Sequence, residues 1–152
     1  MKKIMIAFVV ICCAVLFLGC ASVKMASKEE DTSLKEFKLP PPDRAGLYIF
    51  RNSFLGQMLS RPLYVDGNLI GETANGVYFY LNLSPGKHFI STESEFGKNS
   101  ITFEAEGGKN YFAEQYIKMG IFSGGSDVEM VDEKVGMQQV LDCELAEQQK
   151  TK

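Results

Sequence analysis

Between residues 46 and 118 the chain carries a turn signal about every 8–12 residues, and the runs between are rich in β-branched and aromatic side chains. Gly46-Leu-Tyr-Ile-Phe-Arg51 is the first run, and Leu63-Tyr64-Val65 follows Pro62. Asp66-Gly67-Asn68 then leads into Leu69-Ile70-Gly71; Asp-Gly between apolar residues is a strong short-range hairpin signal. Gly76 to Leu83 is the next strand, closed by the turn Ser84-Pro85-Gly86. Lys87–Glu95, Asn99–Glu106 and Asn110–Lys118 complete the series, broken at Gly97 and at Gly107-Gly108. This rhythm argues against βαβ units and predicts an all-β, antiparallel β-sandwich of about seven strands. After a glycine-rich break, Val128–Val131 reads as a last short strand. Asp132 is placed to cap one C-terminal α-helix from Glu133 to about Ala146. Gly136 weakens that helix by about 1 kcal/mol relative to alanine.

The N-terminus obeys a different rule. Met1-Lys2-Lys3 is a positive head, Ile4 to Leu18 runs uncharged for fifteen residues, and Gly19-Cys20-Ala21-Ser22 closes the stretch with small residues. That is the layout of a secretory signal. A cysteine at the cut resembles a bacterial lipoprotein signal, in which Cys20 becomes the acylated N-terminus, although Phe17 and Leu18 depart from its commonest form. Fifteen residues are short of the ~20 needed to span a bilayer. An ordinary cleaved signal and an uncleaved anchor are the competing readings. Residues 1–19 are thus expected to be a signal peptide, 20–39 a flexible tether and 40–152 the β-domain. Lys24, Lys28, Lys35 and Lys38 alternate with Glu29, Glu30, Asp31 and Glu36 in the tether, and such low hydrophobicity argues against order. A short helix within 27–38 is compatible with the acidic residues of its first turn. As a coil the tether spans about 25 Å, and Pro40-Pro41-Pro42 ends it stiffly.

Charge narrows the partners. The whole chain carries −3, and −5 once Lys2 and Lys3 leave with the signal. A mildly acidic domain without a basic run is not built for nucleic acid. Its expected partner is the membrane, through acyl chains on Cys20 and not through a basic patch. An envelope protein is the second expected partner. Cys12 and Cys13 lie in the apolar run, which leaves Cys143 without an intramolecular partner. It reads as a small buried hydrophobe, with a reactive or intermolecular thiol as the alternative.

The ordered series Pro41-Pro42, Gly46–Arg51, Leu-Tyr-Val-Asp-Gly, Ile70-Gly71, Gly76-Val-Tyr-Phe-Tyr, Ser-Pro-Gly-Lys-His and Gly108-Lys-Asn-Tyr-Phe112 resembles the DUF2846 lipoprotein domain over roughly residues 40–145. The stretch from Leu-Tyr-Val-Asp-Gly to Pro-Gly-Lys-His is also similar to PEGA-type modules of bacterial surface proteins. Both resemblances imply a small β-sandwich on an exported, often lipid-anchored protein, and neither implies a catalytic mechanism. Ala21 in place of aspartate after the cysteine is, in lipoproteins of this kind, the pattern of outer-membrane sorting.

Candidate chemistry is sparse. His88 is the only histidine, so a two-histidine metal site is excluded, and it reads as a turn residue. Ser123 and Ser126 flank Gly124-Gly125 without a nucleophile elbow. Glu93, Glu95, Glu104 and Glu106 fall at period two on adjacent strands. They read first as a solvated face, and otherwise as a ligand face for a sugar, a peptidoglycan fragment or calcium. The apolar loop of Met119, Ile121 and Phe122 either docks a partner or tucks under the sandwich. No catalytic residue, metal ligand or cofactor is assigned. The expected function is a non-enzymatic envelope lipoprotein presenting an interaction domain, most simply on the periplasmic side of the outer membrane. A small-ligand module is the alternative, and a hydrolase using His88 a distant third.

Overall fold

A computed structural model of the chain describes residues 23–94, 97–118 and 125–149. The first expected strand is β1 (Ala45–Arg51), and all seven of its residues are buried. Single-faced burial would alternate, so this strand is covered on both sides. One side is a second sheet. The other is a layer of helices.

Strands β2 (Arg61–Val65), β3 (Asn68–Thr73), β4 (Val77–Leu83), β5 (Gly86–Ser94), β6 (Gly97–Ala105), β7 (Asn110–Lys118) and β8 (Gly125–Val131) follow, and the two-residue β9 (Glu144–Leu145) comes last. Five strands form one sheet in the order β8-β7-β1-β4-β9, and four form the other in the order β3-β2-β5-β6. The sandwich expectation holds, with two amendments. Nine strands replace about seven among the described residues, and β1–β7 and β4–β9 pair in parallel. The first parallel pair arises because the chain crosses to the second sheet after β4 and re-enters beside β1.

The hairpin at Asp66-Gly67 forms as expected. Both residues have positive φ, 51° and 80°, which is the backbone a two-residue hairpin turn requires. Leu47, Ile49, Leu63, Val65, Ile70, Phe79 and Ile90 fill the space between the sheets. Tyr48, Phe50, Tyr78, Phe112, Val140, Cys143 and Leu145 form a second cluster on the outer face of the five-stranded sheet.

Two helices roof that second cluster. The C-terminal one, Glu133–Leu141, is capped by Asp132, whose carboxylate accepts the Lys134 N–H at 2.9 Å. It ends five residues earlier than expected, because Cys143 enters the core and the chain continues as β9. The N-terminal helix, Lys28–Leu34, overturns the flexible-tether expectation for residues 23–39. We label these α2 and α1 respectively, in chain order. Ser27 caps α1, its hydroxyl accepting the Glu30 N–H at 3.1 Å. The strap is then tied down by hydrogen bonds. The Ala26 N–H donates to the Leu145 carbonyl at 2.9 Å, and the Asp31 carboxylate accepts the Leu145 N–H at 3.1 Å. The Tyr48 hydroxyl donates to the Leu34 carbonyl at 2.9 Å, and the Lys35 ammonium to the Cys143 carbonyl at 2.6 Å. Phe37 lies 5.4 Å from the Tyr48 ring and 5.9 Å from the Phe112 ring. Composition misled here because specific polar contacts and one aromatic, not bulk hydrophobicity, provide the docking. The folded unit therefore begins no later than Val23, well before Pro40.

Candidate functional site

Three of the four glutamates expected to line a ligand face are among the described residues, and they do not converge. Glu93 stands opposite Lys98 in the β5–β6 register and Glu104 opposite Lys87. The two pairs sit six residues apart along the hairpin, roughly 20 Å at strand spacing. Glu106 lies beyond β6, its carboxylate 2.6 Å from the Lys109 ammonium. Glu95, Cys20 and the loop residues Met119, Ile121 and Phe122 lie outside the described residues.

His88 is a structural pin. Its Nδ1 is 2.6 Å from the Asp66 carboxylate and its Nε2 is 2.8 Å from the Ser84 carbonyl. The other Asp66 oxygen accepts the Phe89 N–H at 3.0 Å. Burial lowers the imidazole pKa, but the bonds to Asp66 and Ser84 outweigh it and the net shift is upward. The ring thus joins the β2–β3 turn to the start of β5, with both nitrogens engaged. Cys143 is buried, and burial pushes its thiol up to about 12, so it stays protonated at neutral pH. Ser126 is not a loop nucleophile either. It is fully buried in β8, and its hydroxyl donates to the Glu93 carbonyl at 2.6 Å.

Ser126 belongs to a polar group inside one end of the sandwich. Arg51, Thr73, Thr92, Gln115 and Ser126 are all buried there. The Gln115 carboxamide bridges Thr73 and Thr92, and the Thr92 and Ser126 hydroxyls are 2.6 Å apart. Asn99 donates to the Ser126 carbonyl at 2.8 Å. Strand alternation points these side chains inward, but it says nothing about which distant partner meets them.

Arg51 is the residue this end is built on. Its guanidinium donates to the carbonyls of Gly56, Leu59 (2.6 Å) and Thr73 (3.4 Å), and its Nε has no partner among the described residues. Burial, and secondarily the charge of Arg61, lowers its pKa. Two of those carbonyls belong to the β1–β2 loop. Gly56 has φ +67° and lies directly on the Ile117 side chain, where a Cβ would come within 2.6 Å. The Ser53 N–H donates to the Asn75 side-chain oxygen at 2.9 Å. A loop fixed at these points nevertheless displays Phe54 and Met58 at 88 % and 99 % exposure, with Leu55 half exposed. An apolar display on a rigid mount is a candidate contact surface. Sequence reasoning missed it; the signal was Phe54-Leu55-Gly56-Gln57-Met58 falling between two strands, where polar turn residues are usual.

A second concavity, about 420 Å³, opens between α1 and β9. Two of its charged lining residues hold the strap in place: Lys35 bonds Asp31 at 2.8 Å and also the Cys143 carbonyl, so the cleft lies along the seam of the N-terminal strap.

With this geometry in view, the comparisons with known proteins decide the family. The model of a family described as "Protein of unknown function (DUF2846)" matches residues 41–126. The chain belongs to the DUF2846 family. A protein of Haemophilus influenzae described as "Uncharacterized protein" is 44 % identical over 133 residues, covering 88 % of this chain and 79 % of the relative. No solved structure matches. The match to the DUF2846 model ends at residue 126, within β8, and starts after the strap. It therefore spans β1 to β7 and the first two residues of β8, but not α1, α2 or β9.

Proposed function

We propose that this DUF2846 protein is an envelope lipoprotein, acylated at Cys20, whose β-domain is a non-enzymatic contact module. The observation that carries the reading is the order of features at the N-terminus. Basic head, apolar run and Gly19-Cys20-Ala21 stand only three residues ahead of Val23, where the fold is already docked. Acyl chains on Cys20 would thus hold the domain directly at a bilayer. Two or more chains make such an anchor stable. The non-enzymatic half is supported by what the candidate reactive groups do. His88 and Ser126 are spent on structural hydrogen bonds and Cys143 is buried. Sorting to the outer membrane, periplasmic side, follows from Ala21 under this reading.

The test is Cys20→Ser in the full chain. Metabolic labelling with a palmitate analogue should mark the wild-type protein and fail on the variant, which should leave the membrane fraction. A variant that stays membrane-bound, or an unlabelled wild type, contradicts the proposal.

A further inference from the structure

The geometry points to a second copy of this chain as a partner: we propose that β6 pairs antiparallel with the β6 of another copy, about a two-fold axis at Ile101, and joins the two four-stranded sheets into one continuous sheet. The proposal names a partner for the contact module. It does not depend on the anchor at Cys20, and its failure would leave that reading standing.

The fold leaves the outer edge of β6 open. Among the described residues β6 pairs with β5 alone, over nine residues without a register shift. Phe89 shows which backbone groups of β6 face outward. Its N–H donates to the Asp66 carboxylate at 3.0 Å and its carbonyl accepts the Asp66 N–H at 2.9 Å, so both point to the β2 side. Thr102, opposite Phe89, therefore sits in a non-hydrogen-bonded pair and turns its own N–H and C=O away from β5. The period of two extends this to Lys98, Ser100 and Glu104. Ser100, Thr102 and Glu104 are exposed. β8 reaches β6 only from inside the sandwich, where Asn99, opposite buried Thr92, donates to the Ser126 carbonyl at 2.8 Å.

Natural edges are commonly blunted by a proline, a bulge or a charge in mid-strand. β6 has no proline and no bulge, and its charges stand only near its ends, at Lys98 and Glu104. The spacing of those two charges selects the occupant. When β6 meets its own copy with Ile101 on the axis, Lys98 falls opposite Glu104 twice, and Ser100 falls opposite Thr102 twice. These are the outward-facing residues from which the new ladder draws its hydrogen-bonded pairs. Ile101 falls opposite itself at a closely spaced position. Ile101 and Phe103, half-buried against the core, then lose further surface to the partner. Moving the axis to Ser100 or Thr102 removes both Lys98–Glu104 contacts. A patch that complements itself in this way is what an isologous two-fold contact requires.

The test is sedimentation of the full chain in detergent over a rising protein concentration, up to ~1 mM. A contact through one strand is small and of the transient class, so a reversible monomer–dimer equilibrium is expected. Lys98→Glu alone and Glu104→Lys alone should each weaken dimerisation roughly tenfold, because each sets like charges opposite one another twice. An equimolar mixture of the two variants should recover the dimer, since every 98–104 contact between the two again joins opposite charges. Misfolding cannot produce that recovery. Thr102→Pro removes an N–H that points away from β5. It should abolish the dimer while keeping the far-ultraviolet circular dichroism of the wild type. A chain that stays monomeric at ~1 mM overturns the proposal. So does a dimer that survives Thr102→Pro, a single charge variant that dimerises as the wild type does, or a mixture that fails to recover.

Discussion

His88 carries the clearest pH signature of any single residue described. Its folded-state pKa is raised by the contacts with Asp66 and Ser84, against the opposing effect of burial. A raised folded pKa means that the stabilisation is fully present below the unfolded value, ~6.5, and is lost as pH rises through the folded value. His88→Ala should therefore cost on the order of 1 kcal/mol at pH 5.5 and less at pH 8.5, read from urea unfolding at both. An equal loss at the two pH values would mean that the imidazole acts only by packing. Gly136 shows a different kind of residue effect. On helix propensity alone it is a fault, yet a Cβ there would lie 2.3 Å from the Phe112 Cβ and Cγ. The glycine lets α2 lie directly on β7, and a sequence read one helix at a time registers only the propensity penalty.

Among the elements, α1 and its flanks change the picture most. Residues 23–39 look like a spacer by composition, but Asp31, Leu34, Lys35 and Phe37 each find a specific place on the outer aromatic cluster. Removing the strap should expose Tyr48 and Tyr78 and strip two aromatic contacts, each worth about 0.5–1.5 kcal/mol beyond the buried area. A chain starting at Pro40 should accordingly be at least about 2 kcal/mol less stable than one starting at Val23. Equal melting temperatures for the two would restore the spacer reading. Most strands were legible from turn chemistry: Asp66-Gly67 marked the β2–β3 hairpin, and Ser84-Pro85-Gly86 marked the turn at which the chain crosses from β4 in one sheet to β5 in the other. The parallel pairing of β1 with β7 was not legible, since a period of two records which faces are buried and not which distant strand lies alongside. The same blindness hid the polar group around Gln115. Its members come from five strands and share no local pattern.

At the scale of the whole molecule, the two ends of the described chain meet. Met25 bridges Ala146, and the Glu147 N–H donates to the Lys24 carbonyl at 2.7 Å. The chain thus leaves the domain from a closed seam, not from a loose arm. Under the lipoprotein reading this replaces a swinging spacer of about 25 Å with a link of three residues, about 10 Å long. A domain so tethered would sample one narrow layer above the bilayer. The most direct measurement is the mass of the N-terminal peptide of the protein purified from membranes. The account predicts a peptide beginning at Cys20 and carrying diacylglyceryl and amide-linked acyl groups. An unmodified peptide, or one beginning at any other residue, would contradict it.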